Sequence, residues 1–249
     1  MRNNGWIGLI FLLVINVPTY AFNSVDEQID HYLGILEDGS YALKVQMLER
    51  LQWSGLSDPR LYDEVERQLF EKYLRTGLDK EAIGLLSHQI RALGYSGNEK
   101  YRNSLAQIKK KSTSEKFRRH ASKALNQLDK SKSWNKLIAD SSFTVEGKSV
   151  EVATYMKMLS VDDVFVQRNA ARAIFHERQR DPDLLALTAE KLEQLYMQDD
   201  LDNQTQDTAA WFCKAIGESG ESEYGVLLSK VAGNTPYKKI RNYAQNYAQ

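Results

Sequence analysis

The chain repeats itself, and that repetition constrains the fold more than any motif does. Ala92-Leu93-Gly94-Tyr95-Ser96-Gly97 returns as Ala215-Ile216-Gly217-Glu218-Ser219-Gly220, so that Gly217 stands 123 residues after Gly94. The same register, without a gap, carries Tyr101 onto Tyr224, Leu105 onto Leu228, Lys116 onto Lys239, Arg118 onto Arg241 and Ala121 onto Ala244. Read backwards, it carries Asp58-Pro59 onto Asp181-Pro182, Leu61 onto Leu184, Tyr73 onto Tyr196 and Tyr32 onto Tyr155. One register held over most of a chain is the mark of a tandem duplication. Units repeated in this way bury their apolar faces by stacking on one another.

Within each copy the apolar spacing is helical. Tyr101, Leu105 and Ile108 fall at i, i+4 and i+7, and Leu61, Val65, Leu69 and Tyr73 form a second stripe. Asp58-Pro59 and Asp181-Pro182 each read as an N-cap followed by proline in the first turn. Gly94 and Gly217 follow apolar stripes where a left-handed glycine would end a helix. The fold class that follows is all-α: an α-solenoid of about six helical pairs, built as two copies of a roughly 120-residue unit. The expected division is a first unit over 22–130, a connecting loop over 131–149 with a short turn around Trp134 to Ile138, and a second unit over 150–249. The whole is expected to form one continuous solenoid.

The first 21 residues stand apart. Arg2 precedes an apolar run from Trp6 to Val17, Pro18 breaks it, and Thr19-Tyr20-Ala21 supplies small residues where a signal peptidase reads. The run is shorter than the roughly 20 residues needed to cross a bilayer, so a cleaved signal peptide is expected rather than an anchor. The destination is then outside the cytoplasm: periplasmic in a bacterium with two membranes, otherwise secreted. Lys and Arg number 33, as do Asp and Glu, and that balance argues against a general nucleic-acid binder. With Cys213 the only cysteine, no internal disulfide can form, and stability must come from packing.

Arg91-Ala92-Leu93-Gly94, then Tyr101 to Ile108, then Phe117-Arg118-Arg119-His120-Ala121-Ser122-Lys123-Ala124-Leu125 resembles the HEAT-like repeat of the phycobilisome-lyase type. Val166-Gln167-Arg168-Asn169-Ala170-Ala171-Arg172-Ala173-Ile174 is a second instance, its arginine displaced by one. The resemblance implies a right-handed superhelix whose concave surface is lined by the second helix of each pair. It implies no activity, because such repeats serve scaffolds, adaptors and a few lyases alike.

The duplication supplies a control for every candidate residue. Cys213 replaces Ile90 on an apolar stripe, which makes it a core thiol rather than a nucleophile. His31, His88, His120 and His176 meet Thr154, Trp211, Tyr243 and Trp53 in the other copy, and none has a second histidine at metal-ligand spacing. Asp199, Asp200, Asp202, Asn203 and Asp207 gather oxygen ligands suited to calcium, but without the glycine and closing glutamate of a calcium loop. An acidic inter-helix loop is the favoured reading there. Tyr237, Tyr243 and Tyr247 read as core or capping tyrosines, with an exposed docking strip as the alternative. No glycine-rich phosphate cradle, Gly-x-Ser-x-Gly elbow or His-Glu-x-x-His motif is present, so no catalytic residue, metal or cofactor is assigned.

Charge is less evenly spread than its sum suggests. Lys109, Lys110, Lys111, Lys116, Arg118, Arg119 and Lys123 cluster in the first copy, and Lys130, Lys132 and Lys136 extend the run. Such a run is ordinarily a solvated face, and otherwise a patch for an acidic partner or an anionic envelope surface. Three readings of function follow, in this order. The first is a non-enzymatic scaffold or adaptor of the cell envelope that binds a protein or peptide partner. The second is an enzyme of the HEAT-repeat lyase kind. The third is a peripheral binder of anionic envelope material through the basic patch.

Overall fold

The computed structural model describes residues 21–140 and 145–248. The leader expected at 1–21 lies, all but its last residue, outside them. Twelve α-helices fall within the described residues, six in each copy. The first copy holds α1 (Val25–Asp38), α2 (Tyr41–Arg50), α3 (Pro59–Phe70), α4 (Lys80–Tyr95), α5 (Arg102–Lys111) and α6 (Glu115–Asp140). The second holds α7 (Val150–Ser160), α8 (Val164–His176), α9 (Pro182–Leu195), α10 (Asn203–Gly217), α11 (Ser222–Asn234) and α12 (Lys238–Tyr247). No strand occurs among the described residues, and no described helix is long and apolar enough to cross a membrane. The α-solenoid architecture is therefore present as helical pairs.

The duplication extends to individual bonds. Asp79 caps α4 by accepting from Ala82 N at 2.7 Å, and Asp202 caps α10 by accepting from Thr205 N at 2.7 Å. Such caps contribute about 1 kcal/mol each. Asp58 and Asp181 cap α3 and α9, each followed by proline in the first turn. Arg118 donates to the carbonyl of Ser112 at 2.8 Å, and Arg241 to that of Thr235 at 2.8 Å, so both arginines close the end of the preceding helix.

The glycine reading needs correction. Gly94 and Gly217 lie within the helical run, and the left-handed positions are Gly97 (φ 62°) and Gly220 (φ 72°), three residues later in each copy. Gly94 and Gly217 instead serve close approach. A Cβ on Gly94 would sit 2.7 Å from the Ala124 carbonyl oxygen of α6, and one on Gly217 would sit 2.3 Å from Tyr247 Cβ of α12. Ala124 and Tyr247 are themselves equivalent, so one close helix crossing was inherited twice.

Two further features differ from the sequence reading. The connecting loop expected at 131–149 is helical as far as Asp140, because nothing between Leu128 and Asp140 breaks the helix. Buried Ser131 accepts from Gln127 at 3.0 Å, and Trp134 and Ile138 pack on the second copy's core. The units also meet otherwise than in a single end-to-end stack: their first pairs, α1/α2 and α7/α8, face one another. Val150 N donates to Phe22 O at 2.9 Å, and Gln28 Nε2 to Glu151 Oε1 at 3.3 Å. Trp53, in the turn that follows α2, is buried in the second copy's core, and Val150 packs against the first.

Candidate functional site

Where α2, α4 and α8 converge across this junction they enclose a cavity of about 370 Å³. Its walls carry Arg50, Arg91 and Arg172, with Trp53, Tyr95, His88 and His176 between them. The second helices of the pairs supply most of these residues because their outward stripes, not needed for stacking within a unit, turn toward the opposite copy.

The arginines differ in how their charge is met. Arg50 Nε lies 3.7 Å from Glu177 Oε1. Glu177 is buried and already accepts from Trp53 Nε1 and from Tyr155 OH, each at 2.9 Å. Arg91 makes no ion pair among the described residues; it donates to His88 Nδ1 at 2.8 Å. A guanidinium has no lone pair to offer, so His88 Nδ1 must accept, and the ring is neutral. The 3.5 Å approach of Glu49 to the same nitrogen is therefore not an ion pair. Burial, reinforced by Arg91, His120 and Lys116, brings His88 down to about 4. His120 is likewise brought to about 4 by burial and then Arg91.

Arg172 is the least compensated group. Its guanidinium stands 5.6 Å from the Trp53 ring centroid and 5.5 Å from that of Trp211. Its Nε is buried without a hydrogen-bond partner, and the acid whose field reaches it, Asp207, is itself paired with Arg168 and Lys239. Burial and the neighbouring Arg168 lower its affinity for its proton, against a smaller opposing effect of Tyr95 and Asp207. Beside it, Lys214 Nζ lies 3.8 Å over Trp211 and 4.7 Å over Phe175, and its pKa is lowered by burial and by Arg172. Lys214 is the duplicate of Arg91, so both copies place a cation at this point of the repeat.

The sequence-singled residues fall elsewhere for the most part. Lys109, Lys110 and Lys111 are exposed in the last turn of α5, where positive charge complements the helix dipole. Arg118 is occupied in capping. Lys116, Arg119 and Lys123 lie along the exposed face of α6 beside His120, and Lys116 also acts on His88, so this end of the patch borders the groove. Cys213 is buried, and burial pushes its thiol up to about 12, too high for a nucleophile. Asp202 caps α10, and Asp207 pairs with both Arg168 and Lys239. Among the described residues, no three His, Cys, Asp or Glu side chains are placed to hold a metal. Tyr237 braces the acidic loop, accepting from Leu201 N at 2.8 Å and donating to Gln198 O at 2.9 Å. Arg91, Arg172 and Lys214 escaped notice as a site because each stands alone in sequence. The signal available was a cation within one helical turn of Trp or His, repeated across the duplication.

No family model and no curated protein matches the chain. Among solved structures, human deoxyhypusine hydroxylase in complex with glycerol is 14% identical, with 89% of this chain and 83% of that one covered at a TM-score of 0.34. An engineered protein is 15% identical, with 88% and 96% covered at 0.26. Neither likeness bears on what this chain binds.

Proposed function

We propose that this is an exported, non-enzymatic binding module of HEAT-type repeats, an adaptor that grips an acidic segment of a partner protein in the junction groove. The observation that carries the reading is Arg172, a guanidinium held between two indoles with no ion pair among the described residues and only the field of Asp207, itself paired with Arg168 and Lys239, to offset it, together with two more cations without ion pairs there, Arg91 and Lys214. Burying a cation without a partner is costly, and such a cost is retained where a ligand offsets it. The aromatic and arginine lining of the groove is also what anchors a protein contact. A lyase-like reading has the repeat resemblance behind it and no constellation of acid, base and nucleophile.

The test is in-cell crosslinking from a photoreactive residue at Gln52 on the groove wall, with Arg60, exposed and paired with Asp26 and Asp58, as the control position. One acidic protein captured at Gln52 alone, and no longer captured when Arg91 and Arg172 are both replaced by glutamine, is the expected result. Equal capture at both positions, or capture indifferent to the arginines, would count against it.

A further inference from the structure

We propose that the junction cavity is a built oxyanion site, seating one carboxylate or phosphate group between Arg91 and Arg172 against the Trp53 and Tyr95 rings. This rests on the groove being the binding surface, and it adds what the surface recognises.

Three observations converge. The first is unmet donor capacity. Arg91 spends one of its five N–H donors on His88, and the buried Nε of Arg172 spends none. The Arg172 Nε is closed to solvent and ligand alike, so the donors open to an oxyanion are the remaining ones of Arg91 and the terminal nitrogens of Arg172, and a ligand that takes them gains hydrogen bonds now unmade within the protein. The second is preorganisation. Trp53 and Trp211 flank Arg172, and Trp53 is itself fixed by its bond to Glu177 and its stack on His176. Little rotamer entropy then remains to be lost on binding. The third is selectivity. Planar guanidinium forks match oxyanions in bidentate fashion. A metal cation would be repelled by the same arginines, and a flat bilayer cannot enter a recess.

The acids nearby do not fill this role. Glu177 is saturated by Trp53, Tyr155 and Arg50. Glu49 is half exposed and touches neutral His88 rather than an arginine. A volume of about 370 Å³ lies at the low end for ligand pockets. It suits a small acid, or the acidic side chain or terminus of a peptide, and these two sources share one chemistry.

Calorimetric titration of the full chain in low-salt, oxyanion-free buffer separates them. The probes are N-acetylglutamate, inorganic phosphate, an acetylated glutamate-rich peptide, and N-acetylglutamine as the uncharged control. Binding of at least one anionic probe, weakened tenfold or more by Arg172→Gln and by Arg91→Gln but not by Arg60→Gln, is expected, with no binding of N-acetylglutamine. Binding of the small acids identifies a free ligand; binding of the peptide alone identifies a chain-borne carboxylate. If no anionic probe binds a wild-type protein that unfolds cooperatively, or if both arginine variants bind as wild type does, the oxyanion site is refuted. Protein capture at Gln52 without anion binding would refute this site and leave the adaptor reading standing. Anion binding without protein capture would do the reverse.

Discussion

Trp53 and His176, 123 residues apart and each the other's counterpart in the duplication, stack face to face with ring centroids 5.5 Å apart and planes inclined by 9°. Gln28 and Glu151, also counterparts, are hydrogen bonded at 3.3 Å. Two residues that each meet their own duplicate at one junction are the arrangement of a symmetric dimer interface, where one patch meets itself about an axis. The axis therefore runs between the first helix pairs of the two units, and the cavity with its arginines lies beside it. Divergence about this axis made the groove. Glu49 of one copy stands where Arg172 stands in the other, so the site is cationic and single rather than duplicated.

Trp53 is the residue most exposed to a test of this junction. Trp53→Ala removes a buried indole, takes from the Glu177 carboxylate one of its two 2.9 Å donors, and unseats both His176 and Arg172. Truncating a buried Trp costs about 3–5 kcal/mol, and urea denaturation is expected to show a loss in that range. Trp53→Phe keeps the ring contacts, loses the bond, and is expected to cost distinctly less. Equal losses would mean that the indole N–H does nothing for Glu177.

Glycines allow opposite predictions within one fold. Gly94→Ala drives a methyl to 2.7 Å from the Ala124 carbonyl and 2.9 Å from its Cα, both backbone atoms of α6 that cannot swing aside. Overpacking of this kind costs about 1–3 kcal/mol. Gly34→Ala meets nothing within 4 Å in the exposed middle of α1, and a helical alanine there is expected to add about 0.5–1 kcal/mol. Thermal midpoints of the two variants should move in opposite directions.

What the sequence made legible was whatever the duplication repeats. Tyr101 and Tyr224, the capping pair Asp58/Asp181, and the apolar stripes all stand in local order, and helix period and cap chemistry are local rules. Gly94 misled because a glycine near a helix end signals a left-handed turn as readily as a close crossing, and only the position of Ala124 decides between them. The extension of α6 past Leu128 was hidden by serines and lysines that are surface-like in composition, although Ser131 is buried and Trp134 reaches the other unit. The site was hidden for a different reason. Arg91 and Arg172 come together only through the pairing of α2 with α8, a long-range choice that no local spacing records.

Acid should weaken the groove before it weakens the rest of the chain. His88 and His120 sit near 4 because burial and Arg91 oppose their charging, whereas unfolded histidine titrates near 6.5. From pH 6.5 down to about 4 the unfolded chain binds protons that the folded chain refuses, so stability falls across that window and levels off below it. Allowing for partial exposure of both rings, about 1–2 kcal/mol is expected to be lost by pH 5. Carboxylates such as Glu99, held near 2 by Arg102 and Lys132, add their own loss only below the ordinary carboxylate range. Urea midpoints at pH 7.5 and 5.0 should differ in the wild type and differ less in the His88→Asn, His120→Asn double variant. An unchanged difference would place the acid sensitivity elsewhere.

Arg172 should separate stability from binding. Its guanidinium contributes packing between Trp53 and Trp211, but its charge is half-buried, with its Nε closed off and no ion pair among the described residues. Arg172→Met keeps an unbranched chain between the rings and removes the uncompensated charge. Replacing buried ionic groups by apolar ones of similar volume is often neutral or stabilising by 1–4 kcal/mol, and a gain of about 1 kcal/mol is expected in denaturant-free buffer. The wild type should recover that difference when a bound oxyanion supplies the missing charge, since a ligand that binds only the folded state raises its stability. Arg172→Met should show no such recovery. A variant less stable than wild type by more than 1 kcal/mol without anion would mean that the cation–indole contacts outweigh the burial of charge, and that Arg172 is a structural clasp instead of a waiting site.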